Sequence, residues 1–272
     1  MKRPELIPVA LLAAVVGFVA VASVRAPRPA RPPALPAADS ATSRESRVPS
    51  SGSEVRTALR ASATAAPERD VAQIRRELIR DGFGTYIGDV LAEGDSLLTR
   101  WPDRTADPLR IWIAPSSAVA DWRPDYPQAV RGAFLEWLSS DLPIRYAFLA
   151  DSDAAEVRVR WIDHFERDGD GLGGRIGSTQ TVRDQFAWIV GGEITIAVHT
   201  VDGRPLDAEL VRATAVHEVG HLLGLLHSRD TTNLMAPRSY VTHITGADLA
   251  TMRLLYRLPP GSVRVSGPGT RD

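Results

Sequence analysis

Residues 217–228 read His217-Glu218-Val219-Gly220-His221-Leu222-Leu223-Gly224-Leu225-Leu226-His227-Ser228. In a helix, residues four apart lie on one face about one turn apart, so His217 and His221 would present both imidazoles to one point. Glu218 is rotated by roughly 100° from His217, close to that point without being aimed at it. Gly224 permits a sharp turn, because glycine takes positive φ without steric cost, and the turn can bring His227 back to the same place. Three imidazoles around a zinc ion leave the fourth tetrahedral position open to water, the arrangement of catalytic rather than structural sites. Half of the six histidines fall in this stretch. The plain alternative, a buried helix with incidental histidines, accounts for neither the spacing nor Glu218.

Outward from the motif, Asp207 fits an N-cap for a helix running to about Leu223. Thr245-x-x-Asp248 has the form of a capping box for a last helix, with Leu249, Met252 and Tyr256 turned inward. Upstream, 109–113, 144–149, 157–162 and 188–198 read as strands, the last interrupted by Gly191-Gly192. Tyr126 to Ser139 places Val130, Phe134, Trp137 and Leu138 on one helical face, and a glycine-rich loop covers 168–177. Trp112, Phe134, Trp137, Trp161 and Trp188 read as core. Strand, helix, strands, helix, loop and helix make an α+β order with the motif helix late.

The composition fits this picture. The chain has 272 residues, 44% hydrophobic and 24% charged, which suits one globular domain with extensions. A net charge of −1 gives no electrostatic reason to expect nucleic acid as a partner. The absence of cysteine excludes disulfides, thiolate metal sites and cysteine nucleophiles.

The full pattern H-E-x-x-H-x-x-G-x-x-H resembles that of the metzincins, zinc endopeptidases with a methionine turn beneath the metal. Asn233-Leu234-Met235-Ala236-Pro237 looks like that turn, and Ser228, the eight-residue gap to Met235 and Pro237 resemble the matrixins in particular. The resemblance implies a metzincin-type, zincin-like α+β catalytic domain, with a twisted mixed sheet, an active-site helix, the Met turn and a C-terminal helix. It implies one catalytic Zn2+ on His217, His221 and His227, Glu218 as general base, and Met235 with Pro237 as a structural floor. The substrate would be a protein or peptide, lying as an added strand along an edge formed by Gly192–Val198.

Two departures stand out. Ser239 occupies the place of the usual tyrosine, with Tyr240 one residue later, and a chain without cysteine cannot block its zinc with a pro-peptide thiolate. His164 and His199 belong to no complete ligand set for a second zinc and read as structural residues. Asp168 and Asp170, with Asp163 nearby, form a candidate Ca2+ site, but they do not fit the twelve-residue helix-loop-helix calcium pattern, and a solvated turn is the better reading.

At the N-terminus, Lys2 and Arg3 precede an apolar run from Leu6 to Val24. Residues 1–25 therefore read as a signal peptide or a signal anchor. Export follows: secreted, periplasmic, or membrane-anchored through residues 6–24 with the domain outside the cytoplasm. Residues 26–67, rich in Pro, Ala and Ser, read as a disordered linker. Residues 68–104 read as a helical extension or pro-segment, 105–260 as the catalytic domain and 261–272 as a flexible tail. Val71, Ile74, Leu78 and Ile79, then Tyr86 to Leu98, supply the helical apolar spacing of the extension, while Arg75, Arg76 and Arg80 mark a solvated face. The sequence thus points to a monomeric zinc endopeptidase. A second reading is an exported zinc-containing binding or scaffold module without proteolytic activity.

Overall fold

The structure, a computed structural model, describes residues 70–166, 175–239 and 241–264. It opens with α1 (Val71–Asp81), capped by the Asp70 carboxylate on the N–H groups of Ala72 and Gln73, and α2 (Ile87–Glu93). β1 (Leu97–Leu98) and β2 (Arg104–Ile113) lead to α3 (Tyr126–Trp137), which continues as a 3-10 turn over Leu138–Ser140. β3 (Ile144–Leu149), β4 (Val157–Ile162), β5 (Gly177–Arg183) and β6 (Ile189–Ala197) complete the strands of the main sheet. α4 (Ala208–Leu222), α5 (Gly246–Arg257) and β7 (Gly261–Ser262) close the chain.

The five-stranded sheet has the order β3-β2-β4-β6-β5. All its pairings are parallel except β5 with β6. The alternation expected of strands is present: Leu109 and Ile111 in β2, and Val157 and Val159 in β4, are fully buried. Pro108 lacks an N–H and lies where the β2–β3 register shifts, between Arg104 and Leu109. The mixed sheet with helices packed on it gives the α+β arrangement that the element order implied.

α3 and α4 pack against each other, and Phe134, Trp137, Val216 and Val219 are all buried in the one core. The Trp137 indole N–H donates to the Val216 carbonyl at 2.9 Å. α4 begins at the expected Asp207, whose carboxylate accepts from Leu210 N at 2.8 Å, and α5 carries the full Thr245/Asp248 capping box.

Several expectations need correction. The Gly192–Val198 strand is no edge: it pairs with β4 on one side and β5 on the other, so β5 is the edge strand beside the motif helix. Leu138, expected on the inner face of α3, is 40% exposed, because the chain tightens to 3-10 geometry there and turns it outward. Ile79, expected on an apolar helical face, is 84% exposed, since that helix meets the core through Ile74 and the partly buried Leu78. Leu97 and Leu98, read as helical, pair antiparallel with Gly261 and Ser262. That pairing draws the first residues of the expected tail into the fold, and Val263 is buried.

The extension is integral to the core. Ile74, Tyr86, Ile87, Val90, Leu98 and Trp101 belong to the same buried cluster as Phe134, Leu222 and Leu255. The Trp101 indole N–H donates to the carbonyl of Leu222, the last residue of α4, at 2.9 Å. Among the described residues no helix is long and apolar enough to cross a membrane. The apolar run 6–24 and the linker 26–67 lie outside the described residues.

Candidate active site

α4 is buried along its whole second half, from Ala213 to Leu222. It ends where Gly224 takes φ +109°, a conformation a side chain rarely adopts, and glycine is further required there because a Cβ would strike the Thr99 carbonyl. The reversal returns His227 to the helix. The three imidazoles then bring one nitrogen each to within 4.8 Å of one another, the sole such cluster of potential ligands among the described residues. Ring centroids are 4.7 Å apart for His217–His221 and His221–His227, and 5.7 Å for His217–His227.

The hydrogen bonds fix the tautomers. His217 Nδ1 lies 2.9 Å from the Leu234 carbonyl, and His221 Nδ1 2.9 Å from the Leu225 carbonyl. A carbonyl only accepts, so both Nδ1 atoms carry the proton. Both Nε2 atoms then hold lone pairs, and they face each other at 3.1 Å. Two facing lone pairs repel unless a cation lies against them, so the donor set fits a metal ion. Burial pushes the His217 imidazole down to about 4, helped by the neighbouring His227. Burial likewise holds His221 well below its usual range. Neutral imidazole is the form that binds metal.

His227 has a different support. Its backbone N–H donates to Glu93 Oε2 at 2.8 Å, and its Nδ1 lies 2.9 Å from Glu93 Oε1. Against the upward push of burial, His227 holds the Glu93 carboxyl below its ordinary value.

Glu218 is 1% exposed. Thr179 of the edge strand places its hydroxyl 2.7 Å from Glu218 Oε2 and 3.0 Å from the Glu218 carbonyl oxygen. Gly177, also on β5, leaves room for the carboxylate: a Cβ there would collide with Glu218 Oε1 and Cγ. Burial pushes the Glu218 carboxyl up to about 8, against the lowering influence of the Thr179 hydroxyl and of Arg175.

Met235 is fully buried. It packs against Gly220, where a Cβ would collide with its Sδ. The turn around it is held by Ser228 N to the Met235 carbonyl at 2.9 Å and by Asn233 Nδ2 to Ser228 Oγ at 2.8 Å. Leu234 N and Met235 N donate to the Asp248 carboxylate at 3.1 and 3.3 Å. Pro237 is half-buried beyond the turn, and Ser239 is buried with its hydroxyl 2.9 Å from the Asn233 carbonyl. Tyr240 lies outside the described residues, as do Asp168 and Asp170.

Away from the motif, His199 bridges Asp163 at 2.6 Å and Asp121 at 3.1 Å, and Asp163 also meets His164 at 2.8 Å. These side chains satisfy one another in a chain and do not converge on a common point. Glu93, Thr179 and Gly177 are not visible as site residues in the sequence, because no fixed spacing ties them to the motif. The one local signal is the alternation Thr179, Thr181 in a polar stretch.

Comparison with known proteins gives a family-level match. Residues 113–257 match the family model described as Matrixin. The chain is 27% identical over 171 residues to Metalloendoproteinase 1 of Glycine max, covering 60% of this chain and 54% of the relative. It is 27% identical over 139 residues to Metalloendoproteinase 1-MMP of Arabidopsis thaliana, covering 48% of this chain and 38% of the relative. The chain thus spans about half or less of the length of these curated relatives.

Proposed function

The chain belongs to the matrixin family, and from that premise we propose that it is a zinc-dependent endopeptidase with zinc on His217, His221 and His227 and Glu218 as general base. The observation that carries the reading is the pair of Nε2 lone pairs facing each other at 3.1 Å, with the third imidazole turned back to them and a buried carboxylate alongside.

When bound, zinc supplies positive charge that makes water acidic near neutral pH and polarises a carbonyl oxygen. The protein's own groups do the rest. An extended peptide adds to the free side of β5 as a further strand, with main-chain hydrogen bonds setting its register. Glu218, steadied by the Thr179 hydroxyl, takes a proton from the attacking water and delivers it to the leaving amine. The enclosed position of the carboxylate excludes bulk water from that transfer. Met235 and Gly220 make an apolar support that keeps His217 and His221 from shifting. The N-terminal run 6–24 would carry this domain out of the cytoplasm.

Metal analysis and peptide hydrolysis on wild type and four variants test the reading. His217→Ala, His221→Ala and His227→Ala should each lose zinc along with activity. Glu218→Ala should keep about one zinc per chain while hydrolysis falls on the order of 10²–10⁴-fold, the usual contribution of positioned acid–base catalysis. Chelator should abolish wild-type activity and zinc should restore it. A Glu218→Ala protein that cleaves as fast as wild type would sink the mechanism. A wild type that holds zinc but cleaves no member of a broad peptide library would favour the binding-module reading.

A further inference from the structure

We propose that Glu93 is a positioning residue for the metal site, its single carboxylate fixing both the ring and the backbone of His227. The inference rests on reading the three histidines as a zinc site, and it assigns a role to a residue that lies before the matrixin-matched region 113–257.

The three imidazoles are not equally well held. His217 and His221 sit on one 15-residue helix, four residues apart, so their separation is set by the helix itself. His227 lies three residues past Gly224, on chain without regular secondary structure. On either side of it the backbone is tied: Leu225 N donates to the Gly220 carbonyl at 3.0 Å, and Ser228 N to the Met235 carbonyl at 2.9 Å. The N–H of His227 itself goes to Glu93 Oε2, and its Nδ1 to Glu93 Oε1. Two donors of one residue on the two oxygens of one carboxylate restrict the backbone and the ring together.

The same face of α2 holds the neighbouring chain. Asp89, four residues before Glu93, accepts from Arg229 N at 3.0 Å. Gly94 lets Leu226 approach, since a Cβ there would crowd Leu226 Cδ1. α2 is fixed in turn by Tyr86, whose hydroxyl meets Asp248 at 3.0 Å and whose N–H meets Thr251 Oγ1 at 3.0 Å. Glu93 also differs in charge from the carbonyls behind His217 and His221. A carboxylate on the distal N–H of a ligating imidazole strengthens the opposite nitrogen as a donor and offsets part of the cation's charge.

The test uses the full chain and three measurements: zinc affinity by competition with a chromophoric chelator, the visible spectrum of the cobalt(II)-substituted protein, and melting of the metal-free form. Glu93→Ala should weaken zinc binding by roughly 10–100-fold, as loss of such outer partners does, and should change the cobalt bands. Glu93→Gln, which keeps one acceptor, should fall between. The Glu93 side chain is 37% exposed, so neither change opens a cavity. Val90→Ala loosens the same helix through a residue buried in the core while leaving the Glu93 carboxylate in place; it should lower the melting temperature and leave zinc affinity and spectrum as in wild type. Wild-type affinity and spectrum in Glu93→Ala overturn the proposal, as does an affinity loss that merely follows the melting loss across all three variants. If wild type binds no zinc, the metal-site reading fails and this inference with it. If Glu93→Ala weakens zinc binding but no peptide is cleaved by wild type, the inference stands and the peptidase reading fails.

Discussion

At the scale of single residues, the site divides into groups with a local pattern and groups without one. His217, Glu218, His221, Gly224 and His227 are legible because helical geometry and one glycine turn convert their spacing directly into a shared point. Thr179 is not, because its partner lies 39 residues away and only the folded sheet brings them together. Its hydroxyl has one proton to share between the Glu218 carboxylate and carbonyl oxygens. Thr179→Val keeps the shape and removes that donor. Against the burial that pushes the Glu218 carboxyl up, that hydroxyl favours the ionised form a general base needs; a hydrogen bond to a charged group contributes roughly 1.5–3 kcal/mol, so kcat/KM should fall about tenfold or more. Zinc content should stay at the wild-type level, because no imidazole is touched. Hydrolysis and metal analysis in parallel check this, and unchanged kcat/KM would show that Glu218 needs no support from β5.

At the scale of elements, the sequence predicts β3 and β4 to the residue and places the caps of α4 and α5 correctly, because apolar alternation and Asp, Thr and Gly punctuation are short-range signals. β5 carries no such signal: Gly177-Ser178-Thr179-Gln180-Thr181 is polar although Ser178, Thr179 and Thr181 are buried, so its alternation has little hydrophobic contrast. With β5 hidden, β6 looks like the edge. The extension 68–104 is equally opaque, since apolar helical spacing does not distinguish a removable pro-segment from a packed element. We propose that it packs permanently, with the folded unit beginning well before residue 105. Trp101 is 1% exposed and caps the end of the motif helix through Leu222. Trp101→Ala should therefore destabilise the chain by about 3–5 kcal/mol, the usual cost of emptying a buried aromatic site. Urea unfolding measures it; a loss under about 1 kcal/mol would mean the extension is only loosely docked.

At the scale of the whole molecule, pH should act on folding stability through the cluster in which Asp121 and Asp163 flank His199. The hydrogen bond that His199 donates to Asp121 raises its pKa above the ordinary 6.5, burial opposing and Asp163 assisting. The hydrogen bonds of His164 and then His199 hold Asp163 below its ordinary 3.8. The two groups contribute over opposite ranges. His199, with its folded pKa raised, contributes fully below 6.5 and loses that contribution as pH rises through the folded value. Asp163, with its folded pKa depressed, contributes above 3.8 and loses it as pH falls through the folded value. Their pairing is therefore strongest between those limits, in mildly acidic solution. His199→Gln removes the titrating ring and keeps the His199 N–H on the Asp163 carbonyl at 2.8 Å. The stability gap between wild type and His199→Gln, from urea unfolding at a series of pH values, should be widest near pH 5 and narrow as pH rises above 6.5. A gap that is flat with pH, or that widens toward alkaline solution, would mean that His199 is neutral in the folded protein and that the cluster is held by hydrogen bonds without charge.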